Sequence, residues 1–150
     1  MVATVHLTSR VDPQHRAALE NLLFFNSSQH RVLDGIKYSI ERYGAPELVE
    51  REGSLRVEIP ALPEVQSLFA VRTLDGKPVG VAVFAREAPD RFVVLHVGVL
   101  PNPETASHRS ECRLLLRLLH EVRHAARRVR GVQKVELLYG KARMRPLALQ

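Results

Sequence analysis

The sequence contains a single cysteine, Cys112, so the chain cannot form an intramolecular disulfide, which fits a reducing compartment. No Cys/His cluster has the spacing of a zinc site. No apolar run approaches the roughly 18 residues that a membrane helix needs, and the N-terminus lacks a basic region followed by an apolar core. We therefore expect a cytoplasmic protein with no membrane segment and no metal site.

Charge is distributed unevenly along the chain. Residues 109–150 hold eleven Lys/Arg and three Asp/Glu, a net charge of +8, whereas residues 1–108 hold eleven Lys/Arg and thirteen Asp/Glu, a net charge of −2. Six of those thirteen acidic residues lie within 41–64. A basic end attracts an anion, either a nucleotide-like cofactor or a nucleic acid, and an acidic middle attracts a cationic amine. The alternative is that both stretches are solvated faces.

The first part of the chain is typical of one strand followed by two helices. Val2 to Leu7 alternates in character and predicts a strand. Asp12-Pro13 is a helix start, with Asp as the cap and Pro at the first helical position, so a helix is expected from Pro13 to Phe25. Apolar residues at helical spacing predict a second helix from Gln29 to Tyr43, which Gly44 ends.

The middle of the chain predicts four strands. Ser54 to Ile59 alternates and favours a short strand. Gln66 to Thr73 and Pro78 to Arg86 flank Asp75-Gly76, and this dipeptide between two β-branched runs is a strong hairpin signal. Arg91 to Leu100 is nearly all apolar, which predicts a central strand covered on both faces.

The remaining third predicts a long helix and a last strand. Apolar residues form one stripe over Arg109 to Arg130, and the rest of that helix is strongly basic. Gly131 ends the helix, and Val132 to Tyr139 is the last strand. Residues 141–150 lack a clear pattern, so they are expected to be a flexible tail or an edge strand.

The predicted order is therefore β-α-α-(β)-β-β-β-α-β within one domain, residues 1–150. A long helix between two strands is a crossover, so the strands that it joins are parallel neighbours or are separated by a gap. The hairpin makes the rest of the sheet antiparallel. These features predict an α/β (α+β) fold, in which helices flank a mixed, mainly antiparallel central sheet.

The stretch from Gln66 to Pro101 carries motifs of a known family. A D-G-K turn is followed by Val79-Gly80-Val81-Ala82-Val83-Phe84, and the next strand ends in Leu95-His96-Val97-Gly98-Val99-Leu100-Pro101. In these motifs and in element order, the chain resembles the GNAT superfamily of acyl-CoA-dependent N-acyltransferases. The resemblance implies a GNAT-like fold that transfers an acetyl group from acetyl-CoA to a small-molecule or peptide amine.

The same resemblance implies where the cofactor would bind. The backbone of Val97 and Val99 would face the pantetheine arm, and Gly98 would let the cofactor approach closely. The pyrophosphate would lie at the start of the long helix, where the dipole favours an anion. The candidate phosphate ligands there are His108, Arg109, Ser110 and Arg113. A simple N-cap by Ser107 or Ser110 is the alternative.

Two residues are candidates for catalysis. Acyl transfer to an amine needs a base for the amine proton, a donor for the oxyanion and an acid for the leaving thiolate. His96 is the most suitable base by residue type, and Tyr139, at the end of the last strand, is a candidate acid. Strand alternation places His96 on the face of Val94, opposite Val97. The alternatives are a buried histidine and a packing tyrosine.

The helix start also departs from the family pattern, which leads to a second hypothesis. Family members have small residues in the loop Q/R-x-x-G-x-G/A, whereas the nearest register here, Arg109 to Leu114, has Cys112 and Leu114 at those places. Family members also normally continue past the last strand with further elements. The second hypothesis is therefore a non-catalytic GNAT-like binding or oligomerisation module that has lost CoA binding.

Two expectations concern partners. A sheet that ends at Val132 to Tyr139 would leave an exposed edge, which predicts a homodimer that completes the sheet. A third functional hypothesis is nucleic-acid binding through the basic face of Arg113 to Arg130. That helix has no aromatic residue, so base stacking is not expected, and nucleic acid is the less favoured partner.

Overall fold

A computed structural model describes residues 5–24, 40–62, 64–100, 108–139 and 143–147. For residues 24, 108–112, 138–139 and 143–147 the description covers the backbone. The last four residues of the helix predicted over 29–43, residues 40–43, are helical, and the rest of that helix lies outside the described residues. The loop at 101–107 also lies outside them.

A six-stranded sheet forms the centre of the fold, in the order β1-β4-β5-β6-β7-β8. Every neighbouring pair is antiparallel except β6 and β7, which are parallel. The prediction of a mixed, mainly antiparallel sheet is thus confirmed. The strands are β1 Val5–Thr8, β4 Gln66–Arg72, β5 Pro78–Ala88, β6 Arg91–Val99, β7 Lys134–Tyr139 and β8 Arg143–Leu147.

A two-stranded hairpin forms a second, smaller sheet from β2 (Glu47–Arg51) and β3 (Ser54–Glu58). The turn residues Glu52 and Gly53 both have positive φ, 52° and 79°, as a tight two-residue hairpin turn requires. Only β3 was predicted. In β2 the exposed Glu47 and Glu50 flank Leu48 and Val49, and two adjacent apolar residues are too few to reveal an alternation.

Two helices pack against the central sheet. A 3₁₀ turn at Pro13–His15 leads into α1, Arg16–Phe24, and the Asp12 side chain caps it by accepting from the Gln14 N–H at 2.9 Å. This confirms the predicted Asp-Pro start. The long helix, α2, spans His108–Arg127 and connects β6 to β7. It ends three residues earlier than the predicted helix, which ran from Arg109 to Arg130.

Each face of the sheet carries its own apolar core. On one face, Leu19 and Leu22 of α1 pack with residues of β5 and β6 and with the β3 side chains Leu55 and Val57. On the other face, α2 packs on the sheet through Leu118, Leu119, Val122 and Ala126. A Cβ at Gly80 would lie 3.1 Å from Leu118 Cδ1, so glycine there allows α2 to pack close to β5.

The segment after β7 corrects one expectation. Residues 143–147, predicted as a tail or an edge strand, form β8 and pair with β7 from Val135↔Leu147 to Tyr139↔Arg143. The exposed edge expected at Val132–Tyr139 is therefore covered by β8 within the same chain. The homodimer stays a prediction, but this edge no longer supports it.

Candidate active site

The strands β6 and β7 separate towards their C-terminal ends. Their parallel ladder runs from Arg91↔Lys134 to Val94↔Leu137 and ends there. Beyond that point β6 remains paired with β5 as far as Val99, and β7 remains paired with β8 as far as Tyr139. In the described part of the chain, the sheet is therefore open between the second half of β6 and the end of β7.

A β-bulge at Leu95 coincides with the start of the opening. Phe84 of β5 is opposite Val94, but the next β5 register pairs Val83 with His96, so Leu95 is an extra residue on β6. A bulge bends its strand and increases the local twist. This bend accounts for the departure of β6 from β7 immediately after Val94.

The bulge also corrects the predicted orientation of His96. Val94 belongs to the core on the α2 face, whereas Leu95 belongs to the core on the α1 face. Since His96 is opposite Val83, another member of the α1-face core, His96 also lies on that face. His96 and Val97 lie on different faces of the sheet, as predicted. His96 does not share a face with Val94, however, because regular alternation fails at the bulge.

The peptide groups of Val97 point into the opening. The Leu100 N–H donates to the Val79 carbonyl at 2.9 Å, so Leu100 directs its peptide groups towards β5. The N–H and C=O groups of successive residues in a strand point to alternate sides, so the peptide groups of Val97 and Val99 point away from β5. They point to the side of β6 on which β7 is no longer paired with it. The resemblance implied this orientation, and a binding role for Val97, Gly98 and Val99 stays a prediction.

His96 is buried beside the opening and is uncharged. Its exposed fraction is 8%. Burial lowers the pKa of His96 from 6.5 to about 4, and a hydrogen bond with the Leu22 backbone opposes that shift only in part. Since the bond raises the pKa, the ring donates to the carbonyl. The Nε2 atom is buried and has no hydrogen-bond partner in the described part of the chain. A neutral imidazole thus has one nitrogen without a hydrogen-bond partner among the described residues.

The predicted phosphate ligands lie together at the start of α2. His108, Arg109 and Ser110 occupy the first turn of the helix, and Arg113 follows in the second turn with an exposed side chain. The first turn of a helix favours an anion through its unpaired N–H groups and its dipole. The side chains of the first three residues are not described, so their roles stay predictions.

Tyr139 lies on the opposite wall of the opening. It is the last residue of β7, two positions beyond Leu137, the last β7 residue that pairs with β6. His96 and Tyr139 therefore belong to the two strands that separate. The description of Tyr139 covers its backbone alone, and its role as an acid stays a prediction.

A chain of charged groups that sequence reasoning missed crosses the closed end of the sheet. Arg91 contacts Glu87 at 3.5 Å and Glu136 at 3.7 Å, and Arg42 contacts Glu87 at 3.0 Å. The side chains of Glu87 and Glu136 are 12% and 14% exposed. In the sequence, these ion pairs are indicated only by single charged residues inside apolar strands. A single charged residue does not reveal which residue it will pair with.

Two kinds of feature are absent from the described residues. No group of three or more His, Cys, Asp or Glu there could hold a metal ion. None of the helices in the described ranges is long and apolar enough to cross a membrane. Three glutamates of the acidic stretch 41–64, for which the sequence suggests a cationic amine as a ligand, are exposed on the β2–β3 hairpin: Glu47, Glu50 and Glu52.

Comparisons with known proteins return fold similarities alone. No protein-family model matches the sequence, and no curated protein is significantly similar to it. Among solved structures, the chain is similar to a Desulfovibrio desulfuricans protein assigned to the GNAT family of acetyltransferases, at 20% identity and a TM-score of 0.47. It is also similar to a nourseothricin acetyltransferase, at 14% identity and a TM-score of 0.37. Both comparisons cover 89% of this chain and 72% of the other.

Proposed function

We propose that the protein transfers an acyl group from an acyl-CoA, with acetyl-CoA as the preferred donor, to a primary amine. One observation carries this proposal: β6 and β7 separate after Val94, and the peptide groups of Val97 point into the space between them. A central strand whose peptide groups face an opening instead of a neighbouring strand is suited to bind an extended ligand that contains amides.

The residues present fit the pantetheine arm of such a cofactor. The arm is extended and contains two amides, so the N–H and the carbonyl of Val97 would hold it as an added strand would be held. Its phosphates would lie towards the start of α2, with Arg109 and Arg113 as charged donors. When bound, the cofactor supplies the acyl thioester.

His96 and Tyr139 would divide the proton chemistry. A pKa of about 4 keeps His96 neutral at physiological pH, so Nε2 accepts a hydrogen bond from the amine. The same low pKa makes His96 a weak base. The amine must therefore reach the site in its uncharged form, and His96 positions it. Tyr139, on the facing strand, would donate a proton to the thiolate as the C–S bond breaks. The proton that the amine nitrogen loses as the C–N bond forms would return to the Tyr139 oxygen.

A matched pair of variants tests the role of the Val97 peptide. Val97→Pro removes the backbone N–H, whereas Val97→Ala removes side-chain atoms and keeps it. Since that N–H points away from β5, its loss breaks no hydrogen bond in the β5–β6 ladder. We expect acetyl-CoA binding, measured by calorimetry, to weaken about tenfold in Val97→Pro. In Val97→Ala it should change less than about threefold.

Turnover is measured in the same samples as thiol release in the presence of a set of primary amines. Thermal unfolding of each variant checks that it is folded. Equal affinity of the two variants would contradict the proposed role of the Val97 N–H. No binding at millimolar concentration would instead favour the non-catalytic module that has lost CoA binding. Binding of acetyl-CoA without thiol release would contradict acyl transfer to the amines tested.

A further inference from the structure

The arginines of the described chain fall into two groups. Before α2, six of the eight described arginines form ion pairs with carboxylates. The pairs are Arg16–Glu20, Arg42–Glu87, Arg51–Glu58, Arg56–Glu52, Arg72–Asp75 and Arg91–Glu136. In α2, by contrast, the exposed arginines form no ion pair with any described residue. Carboxylates of the fold thus neutralise most of the arginines before α2, whereas the exposed arginines of α2 remain available to an anionic ligand.

The available charge forms one line along α2. We define the α2 stripe as Arg113, Arg117, His120, His124 and Arg127 of α2 together with Arg128, the next residue, all of which are exposed. Spacings of three or four residues from Arg113 to Arg127 keep these side chains on one side of the helix. At 1.5 Å per residue the stripe is about 22 Å long. It lies opposite the buried residues Leu118, Val122 and Ala126.

The stripe is held in place by the fold. The apolar side of α2 is packed on the sheet along its length, from Leu118 to Ala126. In the middle of the helix, Arg117 Nη1 donates to the Val5 carbonyl at 3.1 Å and ties the helix to β1. The one acidic residue among the described side chains of α2 is Glu121, which is half-buried. A ligand would thus meet a preformed row of basic side chains.

We propose that the α2 stripe docks onto the phosphate backbone of double-stranded DNA. Arginine matches phosphate with paired, parallel hydrogen bonds, and the cationic groups of α2 are arginines without a lysine among them. The chain as a whole has a net charge of +6 and a pI of about 10.1, which is the charge balance of a nucleic-acid-binding domain. The proposal does not depend on acyl transfer.

Other polyanions fit the stripe less well. An interface with an acidic protein needs an apolar centre, and the stripe offers Leu116 alone, at 64% exposure, among large apolar residues. Single strands bind through aromatic stacking, and α2 contains no aromatic residue. A helix about 10–12 Å across enters the major groove of B-form DNA, whereas the major groove of duplex RNA is deep and narrow.

The spacing sets the expected salt dependence. Duplex DNA carries about one phosphate charge per 1.7 Å of axis, so a stripe of about 22 Å spans enough phosphates for each of its four arginines. Four phosphate contacts predict a slope of about −4 in a plot of log K against log salt concentration. Because the contacts are to the backbone, binding should be nearly independent of base sequence.

The test uses fluorescence anisotropy with a labelled 20-base-pair DNA of arbitrary sequence, titrated with the full chain at several salt concentrations. We expect micromolar binding at low salt with that slope. The double variant R127A/R128A should reduce the slope by about 2 and weaken binding at least tenfold. The control R16A/R56A removes the same net charge from paired arginines elsewhere and should leave the slope unchanged.

Three results would overturn the proposal. The first is a control variant that weakens binding as much as R127A/R128A, which would show that net charge alone matters. The second is duplex RNA or an acidic peptide of equal charge that binds as tightly as the DNA. The third is no change in anisotropy at low salt. Circular dichroism of each variant confirms that the helix is retained.

Discussion

The two halves of β6 differ, although they belong to one continuous strand. Its first half, Arg91 to Val94, is paired with β5 on one side and with β7 on the other, and Arg91 joins two carboxylates across these strands. The second half, Leu95 to Val99, is paired with β5 and has left β7. One extra residue at Leu95 divides them. We infer that the first half stabilises the fold and that the second half serves a ligand.

The largest expected effect concerns core side chains in the two halves. Phe92 is buried and its ring centroid lies 5.7 Å from that of Phe84, so Phe92→Ala should lower the free energy of unfolding by about 3–5 kcal/mol. Val97 is half-buried beside the opening, so Val97→Ala should cost less than about 1 kcal/mol. Urea unfolding measures both. Equal costs would remove the distinction between the halves.

The second effect is a pH dependence at the boundary. Because the pKa of His96 falls from 6.5 to about 4 on folding, the unfolded chain binds a proton between these values and the folded chain does not. Stability therefore falls as the pH is lowered from 6.5 towards 4, by roughly 3 kcal/mol for this residue. Above pH 6.5 the contribution is constant.

The variant His96→Asn isolates that contribution. Asparagine keeps a donor for the Leu22 carbonyl but does not titrate. As the pH falls through this range, the free energy of unfolding of the wild type should decrease relative to that of the variant. Denaturant titrations of both proteins at pH 7, 6, 5 and 4 measure the difference. Parallel curves for the two proteins would contradict a buried, neutral histidine.

A smaller effect is expected at the closed end. Arg91→Met leaves the carboxylates of Glu87 and Glu136 in a largely buried site without the charge that joins them. Because Arg91 itself is 32% exposed, solvent screens part of the loss, and we expect a cost of about 1–2 kcal/mol. Thermal unfolding measures it. Arg51→Met, which removes an exposed pair with Glu58, is the control and should have no measurable effect.

The sequence predicts the parts of this fold that have strong local signals. The Asp-Pro start of α1, the hairpin around Asp75-Gly76, the apolar strand β6 and the long helix α2 were all predicted within a few residues. The strand β8 was left open because its sequence, Arg-Met-Arg-Pro-Leu, includes a proline and two arginines, which are unusual inside a sheet. Its pairing with β7 is a tertiary effect.

The candidate site was predictable in position but not in geometry. The motifs located Val97 and the start of α2, and the orientation of the Val97 backbone agrees with the expectation. The bulge at Leu95 has no sequence signal, so alternation gave the wrong neighbours for His96. The separation of paired and unpaired arginines was also hidden, because the partners of Arg42 and Arg91 are brought close by folding alone.

Amide hydrogen exchange with acetyl-CoA tests the division of β6 most directly. The account predicts that the cofactor slows exchange of the Val97 amide at least tenfold, since that N–H points into the opening and gains a ligand. The amides of Phe92 to Val94, which lie between two paired strands, should change little. Protection confined to Phe92 to Val94, or none anywhere on β6 at millimolar acetyl-CoA, would contradict the claim that the opening between β6 and β7 is the cofactor site.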